Sequence, residues 1–260
     1  MAFSDITGET LQRVAMDKQT YPLELVQNET LFDNQADNFE AAFKPGDINI
    51  ITEIKYGSPS RGKIFDPAIV PPTEVARAYI DNGTKALSIL TEPKYFNGSY
   101  DYLTAVRREN PHIPIIMKDF YLDSYQIYLA RYLGASVALL VVRYLDEVQL
   151  KDYYDLTVEL GLSALVEVHD VTELEIAGKI GCKVMGVNNR NLKTLAIDLT
   201  VARDMAQYFP DDVIKICESG VFTRAEIDTF SELGYDGFLI GTSLMLDGRP
   251  GEALNELING

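Results

Sequence analysis

The chain has 260 residues, of which 47% are apolar and 24% are charged. That composition is typical of a globular protein with one large core or two small ones. Its formal net charge of −16 argues against a nucleic-acid or anionic-membrane surface, because binding to phosphate backbones needs clustered Lys and Arg. The net charge does not exclude an anionic small-molecule substrate, provided that basic residues converge at its binding site.

Cysteine and histidine are too sparse to predict a zinc site. The two cysteines, Cys182 and Cys217, lack metal-ligand spacing, and only two histidines are present. So few cysteines are typical of the reducing cytosol, and we expect a cytoplasmic protein. The first residues lack a basic segment followed by an apolar core, and no apolar run reaches membrane-spanning length. We therefore expect a soluble protein without a signal peptide.

Residues 1–47 show no strand pattern. Leu11, Val14 and Ala15 predict a short amphipathic helix, whose length Pro22 limits. A second short helix is predicted from four apolar residues: Phe32, Phe39, Ala42 and Phe43. We interpret this segment as an N-terminal helical extension packed on the main domain, so that residues 1–260 form a single domain.

From residue 48 onward, short apolar runs alternate with helical stretches. Eight strands are predicted, at 48–54, 86–90, 114–118, 136–142, 164–168, 184–188, 213–217 and 237–240. Four pairs between them have the spacing of a helix N-cap and its capping box: Asp123 with Gln126, Asp146 with Gln149, Asp170 with Glu173, and Thr223 with Glu226. Five glycines stand where helices should end: Gly83, Gly134, Gly161, Gly181 and Gly234.

Apolar strands that alternate with amphipathic helices predict a parallel sheet covered by helices. Eight such units in roughly 210 residues fit a closed barrel better than an open sheet. The predicted fold class is therefore α/β, a (β/α)8 TIM barrel with an N-terminal helical extension. In such a barrel the active site lies at the C-terminal ends of the strands, so the residues at those ends decide the chemistry.

The first strand ends in Glu53 and Lys55, and strand alternation points both side chains to one face. On their own they fit a structural ion pair at least as well as a catalytic pair. The third strand ends in Lys118. The fifth carries Glu167 inside an apolar run, where a carboxylate is costly to bury without a cation, for which Lys55 and Lys118 are the candidates.

The sixth strand supplies Asn188 and Arg190, and the last two strands end in E-S-G and I-G-T-S. Small residues there let backbone N–H groups approach a ligand, and phosphate sites in this fold are often built after strands 7 and 8. Two lysines, two glutamates and an asparagine opposite such a site predict general acid–base chemistry on a phosphorylated sugar. No dinucleotide fingerprint or metal cluster appears, so we expect no cofactor and no metal.

Eight motifs, in this order, resemble the indole-3-glycerol-phosphate synthase family of tryptophan biosynthesis: E-I-K-Y-G-S-P-S-R-G, L-T-E-P-K-Y-F-N-G-S, M-K-D-F, D-S-Y-Q-I, L-V-E-V-H-D, G-V-N-N-R-N-L-K-T, E-S-G and F-L-I-G-T-S-L-M. The resemblance runs from about Phe39 to Met245. It implies a carboxy-lyase that closes 1-(2-carboxyphenylamino)-1-deoxyribulose 5-phosphate into an indole ring, with loss of carbon dioxide and water. The expected partner is this phosphorylated small molecule alone, and a monomer is expected with an oligomer left open.

The resemblance also implies roles for single residues. Lys118 matches the general acid that protonates the sugar carbonyl, and Glu167 matches the general base of the later dehydration. Lys55 matches a substrate contact that can act as an acid in that second step, with Glu53 and Asn188 orienting the set. Implied substrate contacts are Ser58, Phe96 and Arg190, and the implied phosphate end is Ser219, Gly220, Gly241 and Thr242.

This chain departs from the family pattern at Thr242, often Ser or Glu, and at Gly57, often Ala or Lys. Because the substrate carries a phosphate and a carboxylate, we expect a locally positive mouth formed by Lys55, Lys118 and Arg190.

The sequence argues against two alternatives to the synthase. An isomerase of the same pathway would need a cysteine at the end of strand 1, where this chain has Glu53 and Lys55. A phosphosugar-binding barrel without catalysis would tolerate the loss of Lys118 or Glu167, and both are present. His169, just after strand 5, is interpreted as a loop or helix-start residue, with a supporting contact to Glu167 as the lesser alternative.

Overall fold

The computed structural model describes residues 6–32, 38–246 and 248–260. Its centre is a closed barrel of eight parallel strands in chain order, in which the last strand pairs with the first. The strands are β1 (Ile50–Ile54), β2 (Ala86–Leu90), β3 (Ile115–Lys118), β4 (Val137–Val141), β5 (Ser163–Val168), β6 (Val184–Asn188), β7 (Ile214–Glu218) and β8 (Gly237–Ile240). The predicted (β/α)8 barrel is confirmed, and the observed strand ends differ from the predicted ones by at most two residues.

Helices cover the outside of the barrel. In the described ranges they are α1 (Ile6–Thr20), α2 (Leu23–Asn28), α3 (Pro72–Asp81), α4 (Pro93–Phe96), α5 (Tyr100–Glu109), α6 (Tyr125–Leu133), α7 (Glu147–Glu159), α8 (Val171–Lys179), α9 (Thr200–Met205), α10 (Arg224–Glu232), α11 (Thr242–Met245) and α12 (Pro250–Asn259). None of these described helices is long and apolar enough to cross a membrane.

The strands form because their residues are apolar on both faces. Every residue of β1, β2 and β4 is buried, as expected for parallel strands that pack against the barrel interior on one side and helices on the other. Apart from the partly buried Lys215 near the start of β7, charged side chains interrupt the apolar runs only near the C-terminal ends. The buried charges that the strands carry therefore lie at one end of the barrel.

The predicted helix ends are largely confirmed. Asp146 and Thr223 form capping boxes, and the Asp170 side chain accepts a hydrogen bond from the backbone N–H of Glu173. The fourth predicted cap differs, because α6 begins at Tyr125 and Asp123 accepts from the Tyr125 N–H. All five predicted end glycines have a positive φ, between 73° and 95°, a conformation that glycine adopts without strain.

The N-terminal extension differs from the prediction in detail. The first helix ends at Thr20, before Pro22, but Leu11 and Ala15 of its predicted apolar face are exposed, and only Val14 is buried. The buried face instead follows the four-residue spacing of Ile6, Thr10 and Val14. The predicted second helix is also wrong over its described part, where Phe39 and Phe43 pack around a 3-10 turn at Glu40–Ala42. Residues 33–37 of that prediction lie outside the described residues.

Candidate active site

A cavity of about 340 Å³ opens at the C-terminal ends of the strands. The structure brings all twelve residues singled out from the sequence to its walls: Glu53, Lys55, Ser58, Phe96, Lys118, Glu167, Asn188, Arg190, Ser219, Gly220, Gly241 and Thr242. They come from the ends of β1, β3, β5 and β6 and from the connections after β1, β2, β6, β7 and β8. The volume is in the range of pockets that bind small molecules.

The centre of the cavity is the ammonium group of Lys118. Its Nζ lies 2.8 Å from Glu167 Oε2 and 2.9 Å from Glu218 Oε2, and all three side chains are almost inaccessible to solvent. Burial by itself would lower the pKa of Lys118, but the negative charges of Glu167, Glu218 and Glu53 raise it above its ordinary value. Lys118 is therefore protonated at neutral pH.

The two carboxylates that bind Lys118 differ from each other. Burial would raise the pKa of Glu167, but Lys118 and His169 hold it well below its ordinary value. In contrast, burial raises the pKa of Glu218 to about 7, against the opposing attraction of Lys118. Two carboxylates this close to one cation separate in this way because like charges repel. Glu167 is thus the ionised base of the pair near neutral pH.

Glu53 and Lys55 form a second ion pair, with Lys55 Nζ 2.6 Å from Glu53 Oε1. Of the two cations considered for Glu167, Lys118 is the one that binds it. The Glu53 side chain occupies space beside Gly241, where a Cβ atom would lie 2.6 Å from Glu53 Oε1. The absence of a side chain at Gly241, directly after β8, therefore makes room for the carboxylate on β1.

Asn188 and Arg190 follow from the end of β6. The Asn188 side-chain amide donates to Glu167 Oε1 at 3.1 Å, and its oxygen accepts from the Arg190 N–H at 3.0 Å. Arg190 Nη1 donates to the Leu195 carbonyl at 2.9 Å, and among the described residues Arg190 forms no salt bridge. Its charge is therefore available to an anion in the cavity.

The connection after β7 carries an unusual backbone. Ser219 has φ of 64° and Gly220 has φ of 90°, a conformation that costs a non-glycine residue about 1–2 kcal/mol. Asn189 supports it, since its side-chain amide donates to the carbonyls of Glu218 and Ser219 at 3.0 and 3.1 Å. Asn189 is itself fixed by the Ala202 N–H, which donates to its oxygen at 3.0 Å. Asn189 thus fixes the conformation of this turn, whose residues Ser219 and Gly220 line the cavity.

Aromatic and hydroxyl side chains complete the wall on the β1 and β2 sides. Glu92 caps α4 by accepting from the backbone N–H groups of residues 94–96, which fixes Phe96. The rings of Phe96 and Phe120 lie 6.4 Å apart. Ser58 Oγ lies 3.3 Å from Ser60 Oγ in the short hairpin after β1.

We expected a locally positive mouth, but the side chains that line the cavity do not carry a net positive charge. Four basic side chains line the cavity, namely Lys55, Arg61, Lys118 and Arg190, together with five acidic ones, Glu53, Glu92, Asp119, Glu167 and Glu218. The reason is that each strand-end lysine is paired with a strand-end carboxylate. An anionic substrate would therefore meet positive charge mainly at the two arginines.

Sequence reasoning missed two side chains that shape the site. Glu218 follows Ile216 and Cys217 at the end of β7. A carboxylate next to apolar strand residues is costly to bury without a cation, and this criterion, which singled out Glu167, also applies to Glu218. The role of Asn189 could not be predicted from local sequence, because this residue supports the turn after β7 while it lies after β6. His169 lies between β5 and α8, as the first interpretation of this residue predicted, and it is also buried beside Glu167, as the second one required.

A family model described as indole-3-glycerol phosphate synthase matches residues 3–257 of this chain. The chain belongs to this family. Its activity is that of the family, a carboxy-lyase reaction of tryptophan biosynthesis that forms indole-3-glycerol phosphate. The indole-3-glycerol phosphate synthase of Ruminiclostridium cellulolyticum is 38% identical over 259 residues, covering 99% of this chain and 98% of the relative. That of Chlorobium limicola is 44% identical over 200 residues, covering 76% and 75%.

Solved structures support the fold at low sequence identity. A 3-hexulose-6-phosphate synthase from Salmonella typhimurium has a TM-score of 0.64 at 11% identity, covering 81% of this chain and 96% of the other. A chain of a tryptophan synthase complex from Pyrococcus furiosus has a TM-score of 0.59 at 14% identity, covering 82% and 98%. These likenesses concern the barrel, whereas the synthase family follows from the sequence matches.

Proposed function

We propose that the cavity binds 1-(2-carboxyphenylamino)-1-deoxyribulose 5-phosphate and that Lys118 and Glu167 are the acid and the base that close its indole ring. The observation that carries this proposal is the buried contact of Lys118 Nζ with two carboxylates of unequal proton affinity. Paired titratable groups whose environments separate their pKa values are typical of acid–base active sites.

In the first step, the ring carbon that bears the carboxylate attacks the sugar ketone. Lys118 donates a proton to the ketone oxygen as negative charge develops there. Its raised pKa does not prevent this transfer, because an alkoxide is a stronger base than a lysine amine. Loss of carbon dioxide then restores the aromatic ring. Holding both carbons in one pocket removes most of the entropy cost of bringing them together.

In the second step, the hydroxyl group made from the ketone leaves as water. Glu167 accepts the proton that the new five-membered ring loses as it becomes an indole, and Asn188 orients this carboxylate through its hydrogen bond at 3.1 Å. The leaving hydroxyl takes its proton from Lys55, which Glu53 holds within 2.6 Å. The Lys118–Glu167 pair thus acts in both steps, and Lys55 of the second ion pair acts only in the dehydration.

The ends of the substrate fit different parts of the wall. The phosphate would bind the backbone N–H groups around Gly220 and Thr242, where the buried Ser243 Oγ has no hydrogen-bond partner among the described residues. Ser219 and Gly241 give the close approach that such contacts need. The substrate carboxylate would bind Arg190, and Ser58 and Phe96 would contact the anthranilate ring.

We further propose a cytoplasmic, single-domain protein that acts as a monomer. Both cysteines are free thiols, and burial raises the pKa of Cys182 and of Cys217 to about 12. Such unreactive thiols are suited to a reducing compartment.

The test is to add the substrate to the purified full chain, without metal or cofactor, and to record indole fluorescence. The chain has no Trp, so the background is tyrosine emission alone. Indole should form with the unaltered protein, and Lys118→Ala should lower kcat by about 100-fold or more. The exposed Lys151, paired with Asp155 on α7, provides the control Lys151→Ala, which should be fully active. Substrate binding without indole formation would instead favour the non-catalytic barrel.

A further inference from the structure

His169 lies directly behind the proposed base. It follows β5 two residues after Glu167, and its side chain is only 3% exposed. Its Nε2 lies 3.4 Å from Glu167 Oε1, and its Nδ1 lies 3.1 Å from Glu173 Oε2. The Glu173 carboxylate also accepts from the His169 backbone N–H at 2.8 Å, which fixes the ring at the start of α8.

The charges continue outward from Glu173. Arg143 Nε donates to Glu173 Oε1 at 2.7 Å, and Arg143 Nη2 donates to Asp170 Oδ2 at 3.1 Å. A row of alternating charge therefore leads from Arg143 near the surface, through Glu173, His169 and Glu167, to Lys118. Each member of the row has an opposite charge on both sides if His169 is protonated.

The surroundings of the ring decide its protonation state. Both ring nitrogens face a carboxylate: Nδ1 is within hydrogen-bond distance of Glu173, whereas Nε2 lies 3.4 Å from Glu167 Oε1, an ion-pair distance, and makes no hydrogen bond among the described residues. A neutral imidazole protonated at Nδ1 would direct the Nε2 lone pair at the Glu167 carboxylate, whereas an imidazolium directs an N–H at each carboxylate. Burial would lower the pKa of His169, but Glu167 and Glu173 raise it to about 9.

The other titratable and charged groups near the His169 ring do not favour its neutral form. Tyr144 lies in the turn after β4, which packs against β5 and α8, and burial raises its pKa, so that it is neutral. Arg143 is bound to Glu173 and Lys118 is bound to Glu167, the two carboxylates that contact the ring. Glu218 lies beyond Lys118 on β7.

We propose that His169 is a positioning residue of the synthase reaction: as a buried imidazolium between two carboxylates, it fixes the Glu167 carboxylate opposite Lys118 and keeps it ionised until the dehydration step. This inference rests on the proposed role of Glu167 as the base. In this role His169 touches neither the substrate nor the reacting atoms, and it acts through Glu167 alone.

The direct test is nitrogen-15 NMR of the full, unaltered chain. His169 and His112 are its only histidines, and His112 is exposed, so His112→Asn assigns the two imidazole signals without disturbing the barrel. We expect both ring nitrogens of His169 to be protonated near neutral pH. A neutral ring there would overturn the inference. No altered residue near the site is needed, so misfolding cannot obscure the answer.

The second test is the pH profile of kcat. Without the imidazolium, the proton affinity of Glu167 should rise, and His169→Asn should move the acid limb upward by about one pH unit. Glu173→Gln, which removes the carboxylate behind the ring, should move it in the same direction by less. His112→Asn should leave it in place. An acid limb unmoved in both variants would overturn the positioning role.

The two proposals can fail separately. If the unaltered protein forms indole but its His169 ring is neutral, the positioning role is wrong and the proposed function stands. If the ring is charged but Glu167→Gln retains full activity, the assignment of Glu167 as the base is wrong, and the role of His169 fails with it.

Discussion

Arg13, on the N-terminal helix α1, binds Asp119, the residue that directly follows Lys118. Two hydrogen bonds join them, Nη1 to Oδ2 at 2.8 Å and Nη2 to Oδ1 at 2.5 Å, and the Asp119 side chain is fully buried. Thr91 donates to the same carboxylate at 2.6 Å. The extension that precedes the barrel is therefore bonded to the strand end that carries the proposed acid.

Arg13→Gln should lower the free energy of unfolding by about 3 kcal/mol, because it leaves the Asp119 carboxylate buried without its cation. Lys18→Gln is the matched control on the same helix. It breaks the partly exposed Lys18–Asp123 pair, and it should cost no more than about 0.5 kcal/mol. Urea denaturation measures both, and equal losses would contradict the interpretation.

Glu167→Gln should separate the two chemical steps. Because Lys118 still protonates the ketone, we expect carbon dioxide to be released, while dehydration and indole formation slow by about 100-fold or more. Single-turnover measurement of both products distinguishes this from Lys118→Gln, which should lose both together. Loss of carbon dioxide release in Glu167→Gln would assign this carboxylate to the first step instead.

Gly186→Ala should disturb the site through Glu218. A Cβ atom at Gly186 would lie 2.0 Å from Glu218 Oε1, so the carboxylate must move away, at a cost of about 1–3 kcal/mol of stability. The double variant Gly186→Ala, Glu218→Ala provides the space, and the cost of the alanine at 186 should largely disappear there. Thermal denaturation of the four proteins in this cycle tests the coupling, and additive losses would argue against it.

Asn189→Ala should weaken phosphate binding selectively. It removes the amide that holds the Ser219 carbonyl, and we expect KM to rise roughly tenfold, the equivalent of one hydrogen bond, with kcat little changed. Competition by inorganic phosphate should weaken in parallel. Adding Ser219→Gly to Asn189→Ala should restore part of the lost affinity, since glycine adopts a positive φ without strain. A fall in kcat at constant KM would contradict this role.

The stability contributed by His169 should depend on pH. Its pKa is raised from 6.5 to about 9 in the folded chain, so the stabilisation is complete below the unfolded value and is lost as pH rises through the folded one. The full contribution is about 3 kcal/mol. His169→Asn should therefore be more destabilising at a pH of about 6 than at about 9.5 in denaturant titrations. Equal losses at both would show that the ring is uncharged.

The sequence was sufficient to predict the barrel and the strands that carry the site, because apolar runs and strand-end charges are local patterns with one favourable arrangement. It was not sufficient to assign partners. That Lys118 rather than Lys55 binds Glu167 depends on where two strand ends meet across the barrel. The contact of Arg13 with Asp119 depends on how α1 docks, and the exposed Leu11 shows that its orientation could not be predicted from apolar spacing alone.

The seam between β1 and β8 has a consequence for how the protein is made. Glu53 emerges early during translation, but the wall beside its carboxylate is incomplete until β8 and Gly241 have been added to the chain. An incomplete nascent chain therefore lacks the closed barrel wall against which the Glu53 carboxylate packs. The complete cavity, whose wall includes Gly241 and Thr242, can therefore form only after β8 and the residues that follow it have been made.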